Sequence, residues 1–229
     1  MLIQLFLTKQ KVKPVFKNCL EPQMIKLIFS YGLPSFVMNA LGAFTVNFAN
    51  MFLVRYSDTA VAFFGAYFKV QQLIFMTVNG LIQGCLPIMR FNYRAKEYGR
   101  LKQANKSGTI IATVMMIVGM LLVLIFPKEI LFLFSASEEM CAFGVPAMRI
   151  MSLGFVFSGF SAMIATYEQA TDSIMPGVVV QLLRQGVLLV PVIWLLNSAV
   201  QMTGIWLAFP ITESVTFLVA VVFAKIKNH

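Results

Sequence analysis

Residues 27 to 54 contain no charged side chain, and the run is closed by Lys26 at one end and Arg55 at the other. A bilayer core about 30 Å thick is crossed by roughly 20 helical residues, so this stretch is long enough to span it. Further runs follow. Residues 59 to 89 are interrupted only by Lys69, 107 to 127 are uncharged, and 143 to 170 carry Arg149 and Glu168 towards their two ends. The remainder, 178 to 224, is too long for one crossing, and Asn197, Ser198, Gln201 and Gly204 mark its break. Composition agrees: 59% of the 229 residues are hydrophobic, only 12% are charged and the mean hydropathy is +0.82, against about 45 to 50% and 25% in soluble domains.

Only helices and closed barrels satisfy their backbone in lipid, and these runs lack the alternation of barrel strands. The expected fold is therefore all-α, an integral membrane six-helix bundle. Its approximate spans are 27–54, 59–89, 107–127, 143–170, 175–196 and 202–224. The first helix is expected to kink near Gly32 and Pro34. Residues 1–25 form a basic connector and 26–229 the transmembrane lobe.

The formal charge of +9 would raise nucleic-acid binding in a soluble chain, but here it is explained by topology. Arg90, Arg94, Lys96, Arg100, Lys102 and Lys106 fall in one short loop, and five lysines precede residue 27. Positive loops face the cytoplasm, so both termini are expected there in a multi-pass cell-membrane protein, with no nucleic-acid partner. Three separated cysteines, a single terminal His229, and no HExxH or GxSxG motif give no metal site, no cofactor and no enzyme chemistry.

Polar side chains inside spans are costly and face protein or a watery cavity. On a helical wheel Ser35, Asn39, Asn47 and Asn50 share about a third of the first helix, while Lys69, Gln72, Asn79 and Gln83 form a stripe on the second. These residues are candidate lining groups for a substrate cavity. Interhelical hydrogen bonding accounts for the same stripes about as well. Lys69, Arg184 and Glu213 each lie about ten residues from a span end, roughly 15 Å deep at 1.5 Å per residue. Glu213 is therefore expected to neutralise Lys69 or Arg184 in the cavity wall. The alternative is a snorkelling Lys69 beside a purely structural Glu213.

Several segments are familiar as a set: YGLPSFVMNALGAFTVNF (Tyr31 to Phe48), AYFKVQQLIF (Ala66 to Phe75), GLIQGCLPIMRFNYRAKEYGRLKQ (Gly80 to Gln103), YEQATDSIMPGVVVQLLRQGVLLVPVIWLL (Tyr167 to Leu196) and GIWLAFPITE (Gly204 to Glu213). Together they resemble helices seven to twelve of multidrug and toxic compound extrusion (MATE) transporters. The most specific piece is Pro87 to Lys96, where Pro-Ile is followed by Asn-Tyr-x-Ala-Lys; Arg94 stands where that family commonly shows glycine.

The resemblance implies one lobe of a two-lobe secondary exporter that moves drug-like, often cationic organic compounds against Na⁺ or H⁺, working with a partner lobe or as a homodimer in the lipid bilayer. Apolar Met1 to Leu7 followed by Lys9, Lys11 and Lys13 is similar to the family's inter-lobe connector, so Met1 reads as internal to a longer ancestral gene. The family's cation sites do not carry over: residues 26–54 hold no Asp or Glu, and Glu168 is the only one on the stretch matching helix ten. Two other functions stay open, a truncated or inactive fragment that only associates with a partner lobe, and a related lipid-linked oligosaccharide flippase.

Overall fold

The computed structural model describes residues 22–171, 179–180 and 182–227. Among them are eight α-helices: α1 (Pro22–Leu53), α2 (Asp58–Arg94), α3 (Tyr98–Ile125), α4 (Pro127–Phe132), α5 (Glu138–Ser152), α6 (Phe155–Ala170), α7 (Leu189–Val200) and α8 (Met202–Lys227), with a π-helical turn at Leu183–Val187 before α7. The fold is all-α, as the apolar runs require. Contacts divide the chain after Ala40. The first unit contributes the leading part of α1; the rest of the description concerns Leu41 onward.

Local chemistry sets the boundaries. Ser57 caps α2 by accepting the Ala60 amide at 3.0 Å, and Ser137 does the same for the Met140 amide at 3.2 Å on α5; each satisfies one of the orphan donors at a helix start. Asp58, Glu138 and Glu139 stand in those first turns, where the helix dipole favours negative charge. The Asn-Tyr-x-Ala-Lys segment is a helix stop. Lys96 sits at φ 60°, its amide donates to Tyr93 O (3.0 Å) and the Glu97 amide donates to Asn92 O (2.9 Å). This is the paired 5→2 and 6→1 pattern of a Schellman motif. Ser135, at φ 56°, ends α4 in the same way.

Four helical stretches are long and apolar enough to cross a membrane: Asp58–Arg94, Tyr98–Ile125, Glu138–Ala170 and Met202–Phe223, with shorter apolar stretches at Ala40–Leu53 and Leu189–Val200. Residues 175–178 and 181 of the expected fifth span lie outside the described residues. Helix ends alternate between two faces. Tyr56 OH in the α1–α2 loop donates to Asn197 Oδ1 near the end of α7 (2.8 Å), whereas Arg90 near the end of α2 meets Gln169 O at the end of α6 (3.5 Å).

Aromatic packing ties α2 to α5, α6 and α8. Phe63 meets Trp206 and Phe143 edge-on, Phe64 meets Phe209, and Tyr67 and Phe75 meet Phe155. Such pairs add about 0.5 to 1.5 kcal/mol beyond area burial. Between α3 and α6 the contact is close because Gly159 lies against Met116 and the Ala112 carbonyl, leaving no room for a larger residue, the small-residue packing that membrane helices favour. The outer face of α3 is apolar and exposed, with Ile110, Val114, Val118, Leu121 and Ile125 all open. A continuous face of that kind fits lipid and not water.

Candidate functional site

One face of α2 departs from that lipid-compatible pattern. Lys69, Gln72, Asn79 and Gln83 are all exposed, and so are Gly65, Gly80 and Gly84, which lie on the same side. A Cβ placed on any of the three glycines would meet nothing within 4 Å. Polar and small residues, with Leu73 and Met76 exposed among them, thus run along a membrane helix on a face that no part of the described chain covers. Hydrocarbon offers the polar members of such a face no hydrogen bonds. Side chains on a helix lean towards its N-terminus, and Lys69 does so: it lines an open cavity of about 710 Å³ together with Asp58, Thr59 and Ser135 at the start of α2 and the end of α4. Among the described residues no ion pair joins Lys69 to Glu213.

Glu213 pairs instead with Arg184. The guanidinium Nε donates to Glu213 Oε1 at 2.8 Å, with both side chains largely shielded (19% and 12% exposed). The Arg184 guanidinium also lies over the Phe75 ring, 4.8 Å from its centroid, a cation–π contact. Three elements build this cluster: the π-turn supplies Arg184, α8 supplies Glu213 and α2 supplies Phe75. Insertion of π turns into helices is rare and concentrates at functional sites. Gly154, between α5 and α6, gives Glu213 room, since a Cβ there would stand 3.2 Å from Glu213 Cγ and 3.3 Å from the Pro210 backbone.

One group, Tyr67, escaped sequence reading. The Tyr67 hydroxyl is buried with no hydrogen-bond partner, as is Glu213 Oε2. Tyr67 lies on the core side of α2, opposite the stripe, where a tyrosine reads as packing. No pattern in the sequence distinguishes it from Phe63 or Phe64.

On α1 two of the candidates, Asn47 and Asn50, can be placed. Asn47 is exposed and donates to the Ala43 carbonyl of its own helix (3.0 Å). Asn50 is half-buried with its Oδ1 unpartnered. The side chain of Asn39 lies outside the described residues. The α2 stripe spans several turns and is one surface, and Arg184 with Glu213 is one cluster beside Phe75. Among the described residues no group of three or more His, Cys, Asp or Glu is arranged to hold a metal ion.

An all-helical bundle with long apolar helices and a lipid-compatible exterior defines an integral membrane protein rather than a soluble domain. The family model MatE matches residues 34–195, and the chain belongs to that family. It is 26% identical over 198 residues to the multidrug export protein MepA of Staphylococcus aureus (strain MSSA476), which covers 86% of this chain and 44% of that protein. It is 27% identical over 207 residues to MepA of Staphylococcus haemolyticus (strain JCSC1435), covering 90% and 45%. The chain thus spans somewhat under half the length of the curated relatives it matches. A solved multidrug resistance MATE family transporter of the MOP superfamily shares the fold in its outward-facing conformation (TM-score 0.83, 17% identity, 98% of this chain and 51% of that one). A solved inward-facing conformation of a multidrug resistance MATE family transporter of the MOP superfamily matches with a TM-score of 0.78 at 16% identity, over 98% of this chain and 53% of that one.

Proposed function

We propose that this chain is one lobe of a cation-coupled multidrug exporter, and that the polar face of α2 is its wall of the substrate cavity. The observation that carries the reading is the exposure of Lys69, Gln72, Asn79 and Gln83 beside three uncovered glycines on a helix long enough to cross the membrane. A second lobe, from a partner chain or a second copy, closes the cavity opposite that face. The match to about half of MepA supports this arrangement. The substrates are lipophilic organic cations, and Na⁺ or H⁺ moving inward drives their export. The basic segment Arg90 to Lys106 faces the cytoplasm, as do both termini.

Expression from the native locus, with any adjoining coding sequence, is expected to lower steady-state accumulation of a fluorescent lipophilic cation in cells that lack other exporters. Collapsing the ion gradients restores accumulation. Accumulation equal to that of an empty vector, with the protein confirmed in the membrane, would favour the associating fragment.

A further inference from the structure

The open cavity at the start of α2, at the end of the bundle away from the basic loop, carries an ordered pair of charges. Asp58, Ala62, Gly65 and Lys69 line it from α2, recurring at three or four residues and therefore on one side of the helix. Asp58 opens the helix, and Lys69 lies eleven residues further along, an axial rise of about 16 Å. Between them the wall is cut back to Ala62 and Gly65, and a Cβ at Gly65 would meet nothing within 4 Å. Phe134 and Ser135, in the turn after α4, add an aromatic ring and a hydroxyl. At about 710 Å³ the space is of the size that holds a small organic molecule.

The charge of Lys69 sets what that molecule can be. Lys69 is the single charged residue between 59 and 89, it is exposed, and among the described residues it makes no ion pair. Charged groups at such depth in a span ordinarily have a partner. This lobe supplies none. Residues 27–54 and 107–127 hold no Asp or Glu, α2 has no carboxylate beyond Asp58, and Glu213 is held by Arg184. A substrate that is only a cation meets like charge at Lys69, which costs binding energy. A substrate that also carries an acid group meets a counter-ion there, while its cationic part is attracted by Asp58 at the mouth.

We propose that Lys69 makes this wall selective for zwitterions, lipophilic cations that bear a carboxylate or sulfonate as well, with the acid group paired to the Lys69 ammonium. The inference rests on the reading of the α2 face as a substrate wall and narrows the class of cation that the wall accepts best. An acidic side chain from the second lobe is the competing partner for Lys69, and it predicts a different response to substitution.

The N-sulfopropyl and N-propyl forms of one styrylpyridinium dye differ only in the acid group, the first being a zwitterion and the second a cation. Fluorescence anisotropy titrations of both dyes against the purified full chain in detergent test the proposal. Lys69→Gln is expected to weaken binding of the sulfopropyl dye about fivefold, the upper end for an exposed ion pair, and to strengthen binding of the propyl dye by removing the repulsion. Lys69→Arg is expected to keep the wild-type order. A Lys69→Gln protein that moves both dyes in the same direction, or neither, would overturn the proposal, as would a wild-type chain that binds neither dye saturably. Accumulation of the same dyes in cells separates this inference from the export reading: binding that depends on Lys69 without export leaves the selectivity standing and removes the exporter, whereas export of both dyes with no dependence on Lys69 does the reverse.

Discussion

Replacing Glu213 with glutamine leaves Arg184 charged, shielded and without its counter-ion, and is expected to cost about 3 kcal/mol of stability. Breaking a buried ion pair by removing one partner commonly costs 3 to 5 kcal/mol; the lower end applies because both side chains keep some exposure and Phe75 still lies against the guanidinium. The double variant Arg184→Gln/Glu213→Gln has no orphan charge and is expected to recover most of that loss, because the single-variant cost is mainly the unpaired charge. Thermal unfolding in detergent reads the stability and dye accumulation reads transport. On the account given, the single variant is destabilised, and neither variant exports. A Glu213→Gln protein with wild-type unfolding and wild-type export would remove the pair from the account.

Gly204→Ala is expected to be at least as damaging, for a different reason. Gly204 lies in the first turn of α8, immediately after the tight turn at Gln201 (φ 55°). A Cβ there would overlap the carbonyl group of Leu196 and come within 2.9 Å of the Asn197 amide nitrogen. All of these are backbone atoms, so no rotamer change relieves the overlap and the α7–α8 hairpin must open. Forcing extra atoms into packed protein costs about 1 to 3 kcal/mol, and a backbone clash belongs at or above the top of that range. Gly65→Ala is the matched control. Nothing lies within 4 Å of its added Cβ, and alanine is the better helix former by about 0.5 to 1 kcal/mol. Thermal unfolding is therefore expected to fall sharply for Gly204→Ala and to hold or rise for Gly65→Ala. A small effect of Gly204→Ala would contradict the hairpin geometry.

The helices were legible because lipid permits so few alternatives: an uncharged run of crossing length reads as a helix whatever its propensities. The α2 stripe was legible for the same reason, since Lys69, Gln72, Asn79 and Gln83 recur on one side of a helix that should otherwise be apolar. Partner choice was not. Residue counting gives depth along the bilayer but not direction around a helix, so Lys69 and Arg184 looked equivalent as partners for Glu213. Only the structure shows Lys69 on the wall of an open cavity at the start of α2 while the π-turn presents Arg184 to α8. That turn has no sequence signature of its own. The left-handed stop at Lys96 was hidden because glycine, not lysine, is the usual residue at such a position. Tyr67 was hidden because its polar end becomes visible only when the positions of its neighbours are known.

The central claim is that the polar face of α2 meets water and not lipid in the assembled transporter. Single cysteines at Gly65, Asn79 and Gln83, with Leu121 on the outer face of α3 as the lipid-facing reference, can be probed in membranes with a membrane-impermeant thiol reagent after replacing Cys19, Cys85 and Cys141 by serine. The three α2 cysteines are expected to react, a lipophilic cation to slow their reaction, and the Leu121 position to stay unreactive. If the α2 cysteines were as inert as the one at Leu121, the face would lie in lipid or buried against protein, and the cavity would have to be sought elsewhere.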